Sequence, residues 1–267
     1  MTRKHDRKSA TRGLLVNEHA LLVLMLALTF STGIVDAVGY LGLDHVFTGN
    51  MTGNVVLLGM GLVGGAQISI VGSIIALGMF AIGAITAGRV LRGSPVGWTT
   101  RSTWLFVSVA VVVAISGVTI FAAGDHVNTA LAYIATGTLG FSMGMQAGTA
   151  RHLAVKDVTT VVITSTLAGL AFDSRLGGGK GQPWPRRFAA VALIGLGALS
   201  GALLLRIHPS LGLALSALIT IVVAVTGHLT TRFTKPDDAE AGDAEPDEIE
   251  IETDAVAPAD DAKPDRA

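Results

Sequence analysis

The 267-residue chain contains no cysteine, which excludes disulfides, thiolate nucleophiles and iron–sulfur ligation. Charge is scarce as well. Asp, Glu, Lys and Arg make up 15% of the residues, against about 25% in a soluble domain. None occurs from His19 to Val35 or from Val46 to Gly88. The sequence also lacks a His/acidic cluster at zinc-ligand spacing, a Gly-x-Ser-x-Gly elbow and a phosphate-binding loop. Gly177-Gly178-Gly179-Lys180-Gly181 has neither the spacing nor the Ser/Thr of a P-loop and reads as a flexible cytoplasmic loop. Without a nucleophile–base pair or a metal cluster, no catalytic residue, metal or cofactor is expected.

Half of the residues are hydrophobic and the mean hydropathy is +0.59. The uncharged runs approach or exceed the roughly 20 apolar residues that cross a bilayer. The expectation is an all-α, polytopic transmembrane helical bundle whose principal partner is the lipid bilayer. Net charge hides a division: residues 1–235 hold 17 basic and 7 acidic residues, and residues 236–267 hold 13 acidic and 2 basic. The latter stretch also has four prolines and no aromatic residue, which points to a disordered tail. Arg3, Lys4, Arg7, Lys8 and Arg12 precede an apolar run with no small-residue cleavage site before Asp36, so they read as the cytoplasmic anchor of an uncleaved first span. The expected organisation is a basic N-terminus (1–19), two membrane repeats (20–123 and 124–230) and an acidic cytoplasmic tail (231–267).

Eight apolar segments fall at roughly 20–43, 46–63, 68–88, 104–123, 128–150, 157–173, 188–207 and 210–228. The second and sixth are short. Phe30-Ser31-Thr32-Gly33 recurs as Phe141-Ser142-Met143-Gly144, and Thr52-Gly53-Asn54 falls opposite Thr164-Ser165-Thr166. The order long, short, long, long is therefore repeated. If both short segments enter and leave on one side, the N-terminus, the 89–101 loop, Arg151–Lys156, the 175–187 loop and Arg232/Lys235 face the cytoplasm. Asp44, His45, Asp125 and His126 then face outside, and only Arg206 lies near the external side. Three full spans per repeat is an odd number, so the second repeat is then inverted. Each repeat then has three spans plus one short re-entrant or broken helix, a recurrent transporter architecture. The alternatives are eight full spans in two parallel repeats, or seven spans with the termini on opposite sides. Trp98, Trp104 and Trp184 fall at cytoplasmic helix ends, where aromatic anchors belong.

Within this frame Thr48-Gly49-Asn50-Met51-Thr52-Gly53-Asn54 stands out, because lipid offers an amide side chain no partner. Asn50 or Asn54 is placed to N-cap the following half-helix and to aim its free N–H groups at a solute. Asp36 is the one acidic residue of the first span, a cation or proton site by default. Gln146 is the nearest polar counterpart in the second repeat. Asp36, Asn50, Thr52, Asn54 and Gln146 are the candidate site residues. Asp173, at the end of the sixth segment, reads as an interfacial cap, and the His45 and His126 pairs with Asp44 and Asp125 as solvated loop residues.

Gly33-Ile34-Val35-Asp36-Ala37, Phe47 and Thr52-Gly53-Asn54 in this order resemble the YoaK-like family of bacterial multi-pass membrane proteins of unknown function. Met143-Gly144-Met145-Gln146 and the Thr-rich Asp157–Leu170 resemble that family's second-half elements; many members have Thr-Gly where this chain has Thr164-Ser165. The resemblance implies an integral inner-membrane protein with both termini cytoplasmic in the topology above. Residues and resemblance together lead to the expectation of a transporter or channel for a small molecule or ion, with a polar midplane site. The alternative is a non-transporting scaffold or accessory subunit; nucleic acid is not an expected partner.

Overall fold

The computed structural model describes residues 3–64, 68–124, 128–153, 163–179 and 184–232, all within one compact unit. Among them the regular structure is helical throughout: α1 (Arg3–Gly42), α2 (Met51–Leu62), α3 (Ile70–Leu91), α4 (Thr100–Ala123), α5 (Thr129–Leu153), α6 (Ile163–Phe172), α7 (Trp184–Leu205) and α8 (Pro209–Arg232). The expected Asp125–His126 pair, Asp157 and the acidic tail beyond Arg232 lie outside the described residues. Local sequence sets the helix starts. Ser69 accepts the Gly72 N–H at 3.0 Å and Thr99 the Ser102 N–H at 3.2 Å, each supplying a donor-rich first turn with an N-cap.

Among the described residues, five helices are long and apolar enough to cross a membrane: His19–Gly42 of α1, α3, α4, α7 and Pro209–Thr230 of α8. The sixth expected span, α5, has the length at 25 residues but is diluted by Thr, Gly, Ser, Met and Gln. The reason is its position, since 13 of those residues are buried against neighbouring helices and need not be lipophilic. Lipid-facing positions elsewhere carry large apolar side chains, such as Ile85, Ile115, Phe121, Leu199 and Val222, all exposed at the surface of the bundle.

The packing comes in matched pairs. α1 lies against α7 and α3 against α5; α1 and α5 lie against α8 and α4 respectively; α2 and α6 pack on α3 and α7; and α4 packs on α8. Small residues interlock the first two pairs. A Cβ on Gly33 would strike the Ile194 carbonyl, and one on Gly197 the Phe30 carbonyl. Likewise a Cβ on Gly144 would strike the Phe80 carbonyl, and one on Gly83 the Phe141 carbonyl. The repeated Phe-Ser-x-Gly tetrapeptide therefore makes the same reciprocal contact twice: its Phe carbonyl seats on a partner glycine and its Gly admits a partner carbonyl.

These contacts also set helix directions. Contacts of Gly33 with Ile194 and of Gly42 with Leu205 make α1 and α7 parallel, as those of Gly140 with Ala76 and Gly148 with Ala84 make α5 and α3. Trp98 lies over Gly227 while Gly117 meets Leu213, so α4 and α8 are antiparallel. One end of the bundle thus gathers the Arg89–Arg101 connection, the end of α5 and the end of α8. Here Arg101 Nη1 donates to the Val90 and Arg92 carbonyls at 3.1 and 3.2 Å, and His152 Nε2 lies 3.0 Å from the Pro95 carbonyl oxygen. Trp98 departs from its expected role as a lipid-facing anchor. It is buried beside Phe106, with ring centroids 5.4 Å apart, and its Nε1 donates to Thr103 Oγ1 at 2.9 Å. The missing side chain at Gly227 opens the slot that takes the indole. Trp104 and Trp184 are exposed, as anchors require.

The interlock generates a prediction. Gly144→Val drives a branched side chain into the Phe80 backbone and should destabilise the protein by about 1–3 kcal/mol. Gly195→Ala, whose Cβ meets nothing within 4 Å, should leave the melting temperature of the detergent-solubilised protein unchanged or higher. Equal shifts for the two variants in differential scanning fluorimetry would refute the interlock.

Candidate functional site

After α1 the chain does not proceed directly into the next helix. Residues 43–50 turn back alongside α1, so that a Cβ on Gly49 would lie 2.9 Å from Thr32 Cγ2. Thr32 is ten residues short of Gly42, or about 15 Å along the helix axis. The apolar segment that opens near residue 46 therefore becomes helical only at Met51, after the candidate cap Asn50, because the residues before it form the return of this dip.

Asp36 holds the turn. Its Oδ1 accepts the Thr48 N–H at 2.9 Å, the Gly49 N–H at 2.6 Å and the Thr48 hydroxyl at 3.3 Å. Asp36 is 8% exposed and forms no ion pair with any described residue. Asn54 holds the other side. Its Oδ1 accepts the Phe47 N–H at 2.9 Å and its Nδ2 donates to the Phe47 carbonyl at 2.6 Å, so one carboxamide serves both polar groups of a residue outside the helices. Phe47 in turn stacks on Tyr40 at 4.7 Å between centroids. Of the two proposed caps, Asn50 is the N-cap of α2: its side chain accepts the Gly53 N–H at 3.2 Å.

A cavity of about 710 Å³ opens where these elements meet. α1 contributes Thr32 and Asp36; the dip and the first turns of α2 contribute Phe47, Asn50, Thr52, Val56 and Leu57. The second half of the chain contributes Ile163 and Thr164 at the start of α6 and Ile194 of α7. Three of the five expected site residues, Asp36, Asn50 and Thr52, thus share one wall. Asn54 is fully buried on Phe47 and does not line the cavity. Gln146 stands one residue behind it: Nε2 donates to Thr32 Oγ1 at 3.0 Å, Thr32 donates to the Leu28 carbonyl at 2.9 Å, and Gln146 Oε1 is buried without a partner among the described residues.

Sequence reasoning missed Thr32, Thr164 and Ile194. Thr164 carried a signal, since the expected repeat set it opposite Thr52; Ile194 carried none. Elsewhere, Asp173 pairs with Arg187 at 2.7 Å, Oδ2 to Nη1, tying the end of α6 to the start of α7. Asp44 accepts the Ser69 hydroxyl at 2.5 Å, and His45, with φ of 54°, makes an edge contact with Tyr40 at 5.8 Å. Both residues shape the connection around α2. No cluster of three metal-ligating side chains occurs among the described residues.

Residues 24–226 match the family described as "Protein of unknown function (DUF1275)". The chain belongs to this family. It is also similar to the UPF0700 transmembrane protein YoaK of Bacillus subtilis (strain 168), with 34% identity over 152 residues that span 56% of this chain and 65% of that protein. The chain therefore matches slightly under two thirds of that relative's length. No solved structure matches. Family and helices together make this a multi-pass membrane protein.

The bonding pattern separates support from lining. Asn54→Leu strands the N–H and C=O of Phe47 and should cost about 2–6 kcal/mol, at about 1–3 kcal/mol for each stranded group. Thr52→Val, at an exposed position with no hydrogen bond to lose, should stay within about 0.5 kcal/mol of wild type. Chemical-denaturant unfolding in detergent measures both; a neutral Asn54→Leu would remove the assigned role.

Proposed function

We propose that the protein is a transporter or channel for a small solute, built from two inverted repeats in the bacterial inner membrane. The observation that carries this reading is the convergence of two half-length helices on one cavity from opposite ends of the bundle. α2 starts beside Thr32 and ends where Gly61 meets Ile68 and Ile70, at the start of α3. α6 starts beside Ile194 and ends at Arg187, near the start of α7. At 12 and 10 residues they are about 18 and 15 Å long, half of a hydrocarbon core of about 30 Å.

The directions of the full-length helices support the inversion. α1 runs with α7 and against α8, and α3 runs with α5, so α1 and α5 oppose each other, as do α3 and α7, and α4 and α8. Arg89, Arg92, Arg101 and Arg151 gather at one end, which the positive-inside rule assigns to the cytoplasm. Non-helical backbone at midplane depth is permitted where it lines a cavity, which is where residues 47–50 lie. A solute site between two repeats, open toward alternate sides as one rocks on the other, follows from that arrangement.

Two measurements test it. The chain has no native cysteine, so Val96→Cys and Val63→Cys, both at exposed positions, report topology directly. In intact cells a membrane-impermeant maleimide should label Val63→Cys and spare Val96→Cys; the reverse result would sink the orientation, and labelling of both would sink the inverted topology. For activity, cells expressing wild type and cells expressing the cavity-filling Thr52→Trp are compared by untargeted mass spectrometry of small molecules. Transport predicts solutes whose accumulation follows wild type alone; identical profiles at equal expression favour the scaffold.

A further inference from the structure

Resting on the transport reading above, we infer that the cavity takes a small organic cation, an ammonium group on an aliphatic stem, with Asp36 as its counter-charge. Cavity volume sets the scale: about 710 Å³ is ligand-sized and falls within the roughly 300–1,000 Å³ of small-molecule pockets. A bare metal ion is a poor match, because it needs several oxygen ligands converging at short range, and the wall offers one carboxylate among scattered hydroxyls.

Charge then decides the sign of the solute. Asp36 is the single ionisable residue on the wall formed by the described residues; no Lys, Arg or His lines it. The N–H groups that open α2 would otherwise form an anion site. Here three of the four are already taken, Met51 by the Gly49 carbonyl, Gly53 by the Asn50 side chain and Asn54 by the Asn50 carbonyl, and the Thr48 and Gly49 N–H groups of the preceding turn go to Asp36 Oδ1. An anion would therefore meet an acidic side chain and, of the N–H groups that open α2, the Thr52 N–H alone without a partner among the described residues. A cation would meet a carboxylate that has no cationic partner among the described residues, with the Phe47 ring beside it in the same wall. The remaining wall, Val56, Leu57, Ile163 and Ile194, is aliphatic and suits a hydrocarbon stem.

Isothermal titration of the full chain in detergent at neutral pH tests this with three solutes of similar size: n-butylammonium chloride, sodium butyrate and glycerol. Saturable binding of butylammonium alone is the expected result. Asp36→Asn keeps an oxygen acceptor for Thr48 and Gly49 while removing the charge, and should weaken binding by at least about tenfold, or about 1.4 kcal/mol. Thr52→Phe leaves the Asp36 bonds intact and fills the cavity, and should abolish binding in a protein that elutes as wild type. Preferred binding of butyrate or glycerol would overturn the cation assignment and leave the transport reading standing. Failure of all three to bind, or butylammonium binding unaltered in both variants, would overturn the proposal. The transport reading is judged separately by the metabolite comparison.

Discussion

A backbone N–H or C=O left unpaired in hydrocarbon costs several kcal/mol, and the dip between α1 and α2 places non-helical backbone beside the middle of α1. Two side chains make that conformation possible. Asp36 takes the Thr48 and Gly49 N–H groups, and Asn54 takes both polar groups of Phe47. One anchor comes from the helix before the dip and one from the helix after it, so the turn is held on both sides. The start of α2 is thereby fixed at the level of Thr32, and a cavity exists because the half-helix begins there instead of at the membrane surface.

Glycine does for the long helices what these side chains do for the dip. Lipid supplies no hydrophobic drive for helices to associate, so close backbone approach and dispersion must supply it. The α1–α7 and α3–α5 pairs achieve this with reciprocal glycine–carbonyl contacts, in which the Phe carbonyl of each Phe-Ser-x-Gly motif lies over a glycine of its partner. Both pairs are parallel and each joins one half of the chain to the other. A chain whose halves were separate bundles would satisfy its glycines internally; here neither half can.

Helix number and type were legible from the apolar runs, and Asp36, Asn50 and Thr52 from the cost of placing polar groups in lipid. Their roles were less so. Composition marks Asn54 as polar and misplaced, but its engagement with Phe47 is a contact seven residues back along the chain that no helical periodicity encodes. The start of α2 at Met51 was legible from Asn50 as a candidate N-cap, but the dip before it was not, since Val46 and Phe47 are apolar whether they lie in a helix or in a dip. α5 fails a test of apolarity because a helix enclosed by protein loses the need for lipophilic residues, and hydropathy alone cannot tell enclosure from solvent. Trp98 was read as an anchor on position, whereas the vacancy at Gly227, far along the sequence, is what draws it inward.

The two half-helices are related in placement but differ in burial. α2 buries Asn54, Leu57 and Gly61 and is tied by Asp36 and Asn54 through the dip that precedes it. α6 buries none of its residues; its packing partner among the described helices is α7, and the part-buried pair Asp173–Arg187 lies at its far end. The bonds that hold the dip sit in a buried, low-dielectric environment that makes their loss costly. The side of the cavity formed by Asp36 and Asn50 is therefore fixed by the same interactions that fix the start of α2, whereas Ile163 and Thr164 reach it from a helix that carries no buried residue of its own.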